Sequence, residues 1–229
     1  MISEAQFARR AEAARAPYRA AGLFAWFFAR GKLRGDPVFR HLLERELIPE
    51  GSRVLDLGCG QGLLASLLKA PGSPRIAAYR GIELMAPDVA RAHRALGPGC
   101  GVVLGDIRTA DFGPADAVVI LDVLHYMPLE DQDRVLARIR AALSPGGLLL
   151  LRIGDTAAGP RFRLSNWMDW TVAFARGHGS TRFHYRTVAQ WRAVLQALDF
   201  SVQAEPMSRG TPFANVLLAA RTPLTPNHA

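Results

Sequence analysis

The sequence predicts an α/β domain built on a parallel sheet wound with helices. Strand-like and helix-like patterns alternate with short turns from residue 51 onward. The first strand runs through Asp56 into a turn holding Gly58, Gly60 and Gly62. The next two strands also end in acids, Glu83 and Asp106.

The elements follow in order. "RVLDLG" (53–58) reads as a buried strand, "LLASLLKA" (63–70) as a helix and "YRGIEL" (79–84) as the second strand. "PDVARAHRAL" (87–96) is a helix opened by proline, followed by two strands, "GVVLGD" (101–106) and "DAVVILD" (116–122). In "LEDQDRVLARIRAAL" (129–143) the apolar positions recur at helical spacing, and Pro145-Gly146-Gly147 is the expected stop. "LLLLRIG" (148–154) is the fifth strand, and "TVAQWRAVLQAL" (187–198) a helix with Thr187 at its N-cap. "SVQAEPM" (201–207) and "FANVLLAAR" (213–221) close the chain as two strands joined through Gly210. The expected organisation is a helical N-terminal extension or lid over residues 1–50 and a catalytic domain over 51–221. That domain carries an insertion at 155–185, and a disordered tail follows at 222–229.

The glycine turn carries the chemistry. Glycines between a strand and a helix let the backbone approach a ligand closely. A dinucleotide site spaces them G-x-G-x-x-G, whereas this turn reads D-x-G-x-G-x-G with Asp56 leading it. An acid there repels a pyrophosphate and attracts an ammonium group, which favours a nucleoside bearing an amino acid, such as S-adenosylmethionine. Glu83 lies about twenty residues further on, where a carboxylate accepts from ribose hydroxyls. Asp106 is placed to accept from an adenine amino group, and the backbone N–H of Ile107 to serve a ring nitrogen. Each acid alone has an ordinary explanation as a cap or a solvated turn; three at consecutive strand ends beside a glycine loop do not.

These stretches, "VLDLGCGQG", "GIEL", "GDI", "AVVILDVLHYMP" and "LSPGGLLLLRIGD", resemble the class I S-adenosylmethionine-dependent methyltransferases over about residues 50–221. The resemblance implies a Rossmann-like, seven-stranded, mostly parallel sheet whose last strand is antiparallel. It also implies cofactor contacts from Asp56, Gly58, Cys59, Gly60, Gly62, Glu83 and Leu84, an adenine site at Asp106 and Ile107, and Asp122 near the methionine end. Cys59 is most simply a small packing residue of the turn.

In "ILDVLHYMP" (120–128) the chain has Asp122-Val123-Leu124-His125 where nucleic-acid amino methyltransferases carry Asn or Asp before Pro-Pro-aromatic. That departure argues against base methylation. His125 has two readings: a general base for a phenol or carboxylic acid, or a polar residue lining the methionine end. Tyr126 shares the ambiguity.

The segment "RAAGLFAWFFARGKLRGDPVFRHLL" resembles the N-terminal segment of methyltransferases encoded beside bacterial aryl polyene pathways. This implies secondary metabolism and an aromatic acyl substrate delivered on an acyl carrier protein. Within it Trp26, Phe27 and Phe28 are expected to wall an acceptor pocket, with Arg30, Lys32 and Arg34 at its rim. Trp167 and Trp170, in the insertion, are further candidate acceptor residues. An amphipathic helix that simply packs on the core is the plainer alternative, and aromatics beside cations also suit a peripheral membrane contact.

Composition narrows the partners. The net charge of +8 comes almost wholly from arginine in a chain rich in Ala, Gly and Pro, so it is weak support for a polyanion partner. The excess is nonetheless concentrated at residues 152–195, with seven Arg against Asp155 and Asp169. This keeps open an RNA methyltransferase using that insertion, beside the favoured small-molecule enzyme and a non-catalytic cofactor-binding module. Two cysteines are too few for a disulfide framework or a zinc site. The apolar run at 20–29 is roughly half a bilayer span, and the mixed-charge N-terminus lacks an apolar signal core, so a cytoplasmic protein is expected.

Overall fold

Residues 2–155, 183–208, 210 and 214–224 are described by the computed structural model. Seven strands form a sheet in the order β3-β2-β1-β4-β5-β7-β6. They are β1 (Arg53–Leu57), β2 (Ala78–Glu83), β3 (Val102–Leu104), β4 (Ala115–Leu121), β5 (Leu143–Gly154), β6 (Ser201–Pro206) and β7 (Asn215–Arg221). β1, β2 and β3 pair in parallel, while β7 is antiparallel to both β5 and β6. The chain divides into two compact units, Met1–Val119 and Ile120–Ala229.

In the first unit, α1 (Glu4–Arg15), a 3-10 turn (Ala16–Ala21), α2 (Leu23–Gly35) and α3 (Pro37–Glu44) precede the sheet. α1 begins with a capping box: the Ser3 hydroxyl accepts from the Gln6 N–H and the Gln6 side chain accepts from the Ser3 N–H. Phe7, Ala11, Ala14 and Tyr18 are buried, so this segment supplies part of the unit's own core. The Ser66 hydroxyl of α4 (Leu63–Lys69) donates to the Ala14 carbonyl at 2.6 Å. Small residues turn α2 inward: Ala25, Ala29 and Leu33 are buried, and Leu23, Phe24 and Phe27 stand exposed on the other side.

Register positions the functional ends of the strands. Leu57 lies opposite Ile82 and Glu83 opposite Leu104, so the carboxyl ends of β1, β2 and β3 run side by side. α5 (Ala86–Leu96) follows β2 and buries Val89 and Ala92 against Cys100 and Val102.

In the second unit, a 3-10 turn (Leu124–Tyr126) leads to α6 (Leu129–Ala142), and α7 (Val188–Ala197) precedes β6. Thr187 caps α7, its hydroxyl accepting from the Gln190 N–H. Two boundaries differ from expectation. β5 begins at Leu143 and runs through Pro145-Gly146-Gly147, the expected stop. Main-chain bonds from Gly146 N–H to the Pro223 carbonyl (2.8 Å) and from Thr222 N–H to the Gly147 carbonyl (3.0 Å) hold that stretch extended. The same bonds place 222–224 with the fold and not in a loose tail; the Thr222 hydroxyl also donates to the Ser144 carbonyl at 2.9 Å. Residues 225–229 lie outside the described residues.

Candidate active site

In the first unit the turn after β1 is built on backbone that only glycine adopts cheaply. Gly58, Gly60 and Gly62 have φ of 73°, 55° and 74°. The Gly58 N–H donates to the Ile82 carbonyl at 2.8 Å, tying the turn to β2. At Gly62 a Cβ would crowd Leu96 and Val102 at 3.3 Å, whereas at Gly60 it would meet nothing within 4 Å. Gly62 therefore serves packing, and Gly60 faces open space where a ligand can come close.

Glu83 organises this turn. Its carboxylate accepts from the Gly60 N–H and from the Met85 N–H, both at 2.8 Å, and the residue is buried. Asp56 is also buried, and the Tyr79 hydroxyl donates to it at 2.7 Å. Burial pushes its carboxyl up to about 7; the Tyr79 bond opposes the rise and the nearby Glu83 charge adds to it. Cys59 packs where a Cβ on Gly81 would lie 2.6 Å from its Sγ, and burial pushes its thiol up. A thiol in that state is a packing group and not a nucleophile.

The adenine-side candidates lie beyond β3. Asp106 accepts from the Arg108 side chain at 2.9 Å and 2.5 Å and from the Arg108 N–H at 2.9 Å. The Arg108 side-chain bonds hold its carboxyl below the usual range. Ile107 is buried, while Leu84, Val103 and Leu104 are exposed apolar side chains. The N-terminal candidates sit on α2. Trp26 has the Arg15 and Arg19 guanidinium groups over its ring at 4.3 Å and 5.3 Å, and Phe27 meets it edge-on at 4.8 Å. Arg30 is exposed; Lys32 bonds Asp36 at 2.8 Å, and Arg34 reaches Glu12 at 3.5 Å. Trp167 and Trp170 lie outside the described residues.

In the second unit Asp122 follows β4 with φ of 58°, a left-handed backbone unusual for a residue with a side chain. Its carboxylate accepts from Arg152 Nε at 2.9 Å and from Arg152 Nη2, forming a pair whose guanidinium is 2% exposed and whose carboxylate is 30% exposed. His125 lies among the rings of Tyr126 (4.3 Å), Tyr185 (5.4 Å) and Phe183 (5.6 Å). Its carbonyl accepts from the His184 N–H at 2.9 Å, and the Gln132 amide donates to the His184 carbonyl, also at 2.9 Å. With Arg152, Tyr185, Arg186 and Trp191 it lines a small cavity.

Burial lowers the His125 imidazole to about 4, against an opposing pull from Asp122. The imidazole is therefore neutral at physiological pH. Because its folded pKa lies below the unfolded value, its contribution to stability is complete above about pH 6.5 and is lost as the pH falls towards 4. Between pH 7 and pH 5 the wild-type chain is expected to lose about 2 kcal/mol more unfolding free energy than His125→Phe. Urea midpoints of both proteins at the two pH values measure this, and equal losses would contradict a buried neutral imidazole.

Three positions gave no signal in the sequence reading: Tyr79 as partner of Asp56, Arg152 as partner of Asp122, and Tyr18. The Tyr18 hydroxyl, fully buried, donates to the Gln61 carbonyl inside the glycine turn at 2.7 Å. The glycine and acid pattern marks one side of each contact only.

Comparison with known proteins gives the family and the fold. A family model described as a methyltransferase domain matches residues 30–205. The carboxy-S-adenosyl-L-methionine synthase of Chromohalobacter salexigens is 39% identical over 106 residues, covering 44% of this chain and 39% of that protein. The malonyl-[acyl-carrier protein] O-methyltransferase of Methylococcus capsulatus is 26% identical over 181 residues, covering 76% and 62%. Thus the chain spans less than two thirds of the length of either relative. Among solved structures, the methyltransferase complexed with the Haloferax volcanii Trm112 activator aligns with a TM-score of 0.69 at 18% identity, covering 91% of this chain and 98% of that one. Magnesium protoporphyrin IX methyltransferase from Synechocystis, with bound SAH, aligns at 0.56 and 21%, covering 81% and 80%. At these identities the structural likeness speaks for the fold.

Proposed function

Because the chain belongs to the methyltransferase-domain family, we propose that it transfers a methyl group from S-adenosylmethionine to a small aromatic or carboxylate-bearing acceptor, free or on an acyl carrier protein. One observation carries the cofactor half: a buried glutamate at the end of β2 accepts from the N–H of an open, left-handed Gly60. A carboxylate acceptor beside an open glycine turn suits a ribosyl amino acid. Gly58 and Gly60 let its chain approach, Glu83 accepts from the ribose, and Leu84 and Leu104 give the adenine an apolar surface. Asp106 and the Ile107 N–H take the adenine's polar edge, and Asp56 the charged end. When bound, the sulfonium supplies a methyl group already activated for attack, so the chain's part is to hold and orient the reactants and to exclude water.

His125 favours a carboxylate over a phenol as the attacking oxygen. A neutral imidazole whose conjugate acid lies near 4 draws a proton from a phenol with little driving force. A carboxylate, ionised at neutral pH, needs no base, and His125 then orients the acceptor with Tyr126 beside it. The relative acting on a malonyl carrier protein supports the same class of acceptor. Trp26, Phe27 and Arg30, with Trp167 and Trp170, remain proposed as acceptor-side residues.

Glu83→Gln is expected to weaken S-adenosylmethionine binding by about tenfold to a hundredfold, on the order of 1–3 kcal/mol, since bonds from a charged acceptor are replaced by weaker ones. Calorimetry at neutral pH measures it, and unchanged affinity would remove Glu83 from the site. For the reaction, the purified chain is incubated with methyl-labelled cofactor and panels of free carboxylic acids, phenols and acyl carrier proteins. Label transferred to a carboxylate supports the proposal, and label confined to phenols refutes its carboxylate preference. A second reading, production of carboxy-S-adenosylmethionine, is favoured by the likeness to the Chromohalobacter synthase. It predicts that one of the free carboxylic acids in the panel serves as carboxyl donor, so that mass spectrometry of the same reactions finds the cofactor heavier by a carboxyl group and no methylated acceptor.

A further inference from the structure

We propose that Tyr18 is a positioning residue for the cofactor site, setting the glycine turn through the Gln61 carbonyl; this rests on the S-adenosylmethionine reading above. Gln61 stands between Gly60 and Gly62, two residues whose backbones have little steric restraint. The Gly62 N–H of the same peptide donates to the Cys59 carbonyl at 3.0 Å within the turn, and the Gly58 N–H holds the start of the turn to the Ile82 carbonyl. Two side chains hold the later part of the turn from outside it. Glu83 grips the Gly60 N–H on one side, and Tyr18, on the 3-10 turn between α1 and α2, donates its hydroxyl to the Gln61 carbonyl at 2.7 Å on the other.

The Gln61 side chain offers no substitute. It is 1% exposed, and among the described residues neither its amide nitrogen nor its amide oxygen has a hydrogen-bond partner. The turn is therefore fixed through its main chain, and the Tyr18 hydroxyl is the side-chain donor to the Gln61 carbonyl, at a position flanked by glycine on both sides. Burial pushes the Tyr18 hydroxyl up, so it stays a donor across the accessible pH range. The N-terminal segment thus acts on cofactor affinity from beneath the turn, without touching the cofactor.

A second tether provides the control. The Ser66 hydroxyl donates to the Ala14 carbonyl at 2.6 Å, joining the same N-terminal segment to α4 outside the turn. Tyr18→Phe and Ser66→Ala each remove one buried hydroxyl bond between the segment and the rest of the unit, and both are expected to lower Tm. S-adenosylmethionine Kd, measured by calorimetry, is expected to rise about tenfold in Tyr18→Phe and to change less than about twofold in Ser66→Ala. The amide resonances of Gly58, Gly60 and Gly62 are expected to shift in the first variant only.

Equal Kd values in the two variants, whether both unchanged or both raised, would overturn the proposal. If Tyr18→Phe does not fold, the unsubstituted chain still decides: with ζ-carbon-labelled tyrosine, the Tyr18 signal moves on saturation with S-adenosylmethionine, and an unmoved signal refutes the coupling. Failure of the cofactor to bind the unsubstituted chain at all would instead overturn the reading of the site, and this proposal with it.

Discussion

Asp122→Asn is expected to lower the unfolding free energy by about 1–3 kcal/mol, the range for weakening hydrogen bonds to a buried charged group. The asymmetry of the pair decides which partner matters. Arg152 is 2% exposed, and its guanidinium cannot recover water when Asp122 loses its charge. Asp122 is 30% exposed, so the reverse change, Arg152→Met, leaves a carboxylate that solvent can reach and is expected to cost clearly less. Asparagine is the informative substitution because it tolerates the left-handed backbone at position 122 as well as aspartate does, which separates the charge from the φ of 58°. Chemical denaturation of the two variants measures the difference. Equal losses would mean that the pair is more solvated than its burial indicates. Because the turn carrying His125 and Tyr126 begins two residues after Asp122, the same variant is also expected to loosen the ring cluster, read as altered near-ultraviolet circular dichroism.

How much was legible in the sequence depended on whether a feature is local. The glycine turn announces itself because the left-handed backbone at Gly58, Gly60 and Gly62 requires glycine, whatever surrounds it. Glu83 was legible because its place follows from where the second strand ends, and the structure adds that it grips Gly60. The cap at Thr187 is a matter of four adjacent residues. Contacts made across the fold left no such trace. Tyr18 meets Gln61 across 43 residues, Arg152 meets Asp122 across 30, and Tyr79 meets Asp56 across 23. In each of these the aromatic or basic residue lies in a stretch with no periodicity or spacing that points to its partner. The start of β5 was misread for the same reason. Pro145-Gly146-Gly147 reads as a stop by local rules, and only the distant Thr222 and Pro223 supply the main-chain bonds that hold it extended.

The N-terminal segment is the remaining case, and removing it is expected to have the largest effect of all. The sequence reading treats residues 1–50 as an extension laid over a finished domain. The packing makes a different demand on stability: Phe7 and Tyr18 are large side chains buried to 7% and 0% exposure, with Ala11 and Ala14 beside them. Burying each large side chain contributes roughly 1.5–3 kcal/mol, and the surfaces they cover on the rest of the unit contribute again when uncovered. Two buried hydrogen bonds, Tyr18 to Gln61 and Ser66 to Ala14, are lost as well, each leaving a group without its partner at about 1–3 kcal/mol. Together these approach the whole stability of an ordinary domain, about 5–15 kcal/mol. A chain beginning at Leu23 is therefore expected to lose its cooperative thermal transition and its affinity for S-adenosylmethionine together. A chain beginning at Ser3 is expected to keep both, because Ser3 supplies the capping box and only Met1 and Ile2 are removed. Calorimetric scans of the two truncations, each with and without cofactor, make the measurement. A cooperative transition surviving in the shorter chain, with cofactor binding intact, would show that the fold and the cofactor site do not depend on the segment.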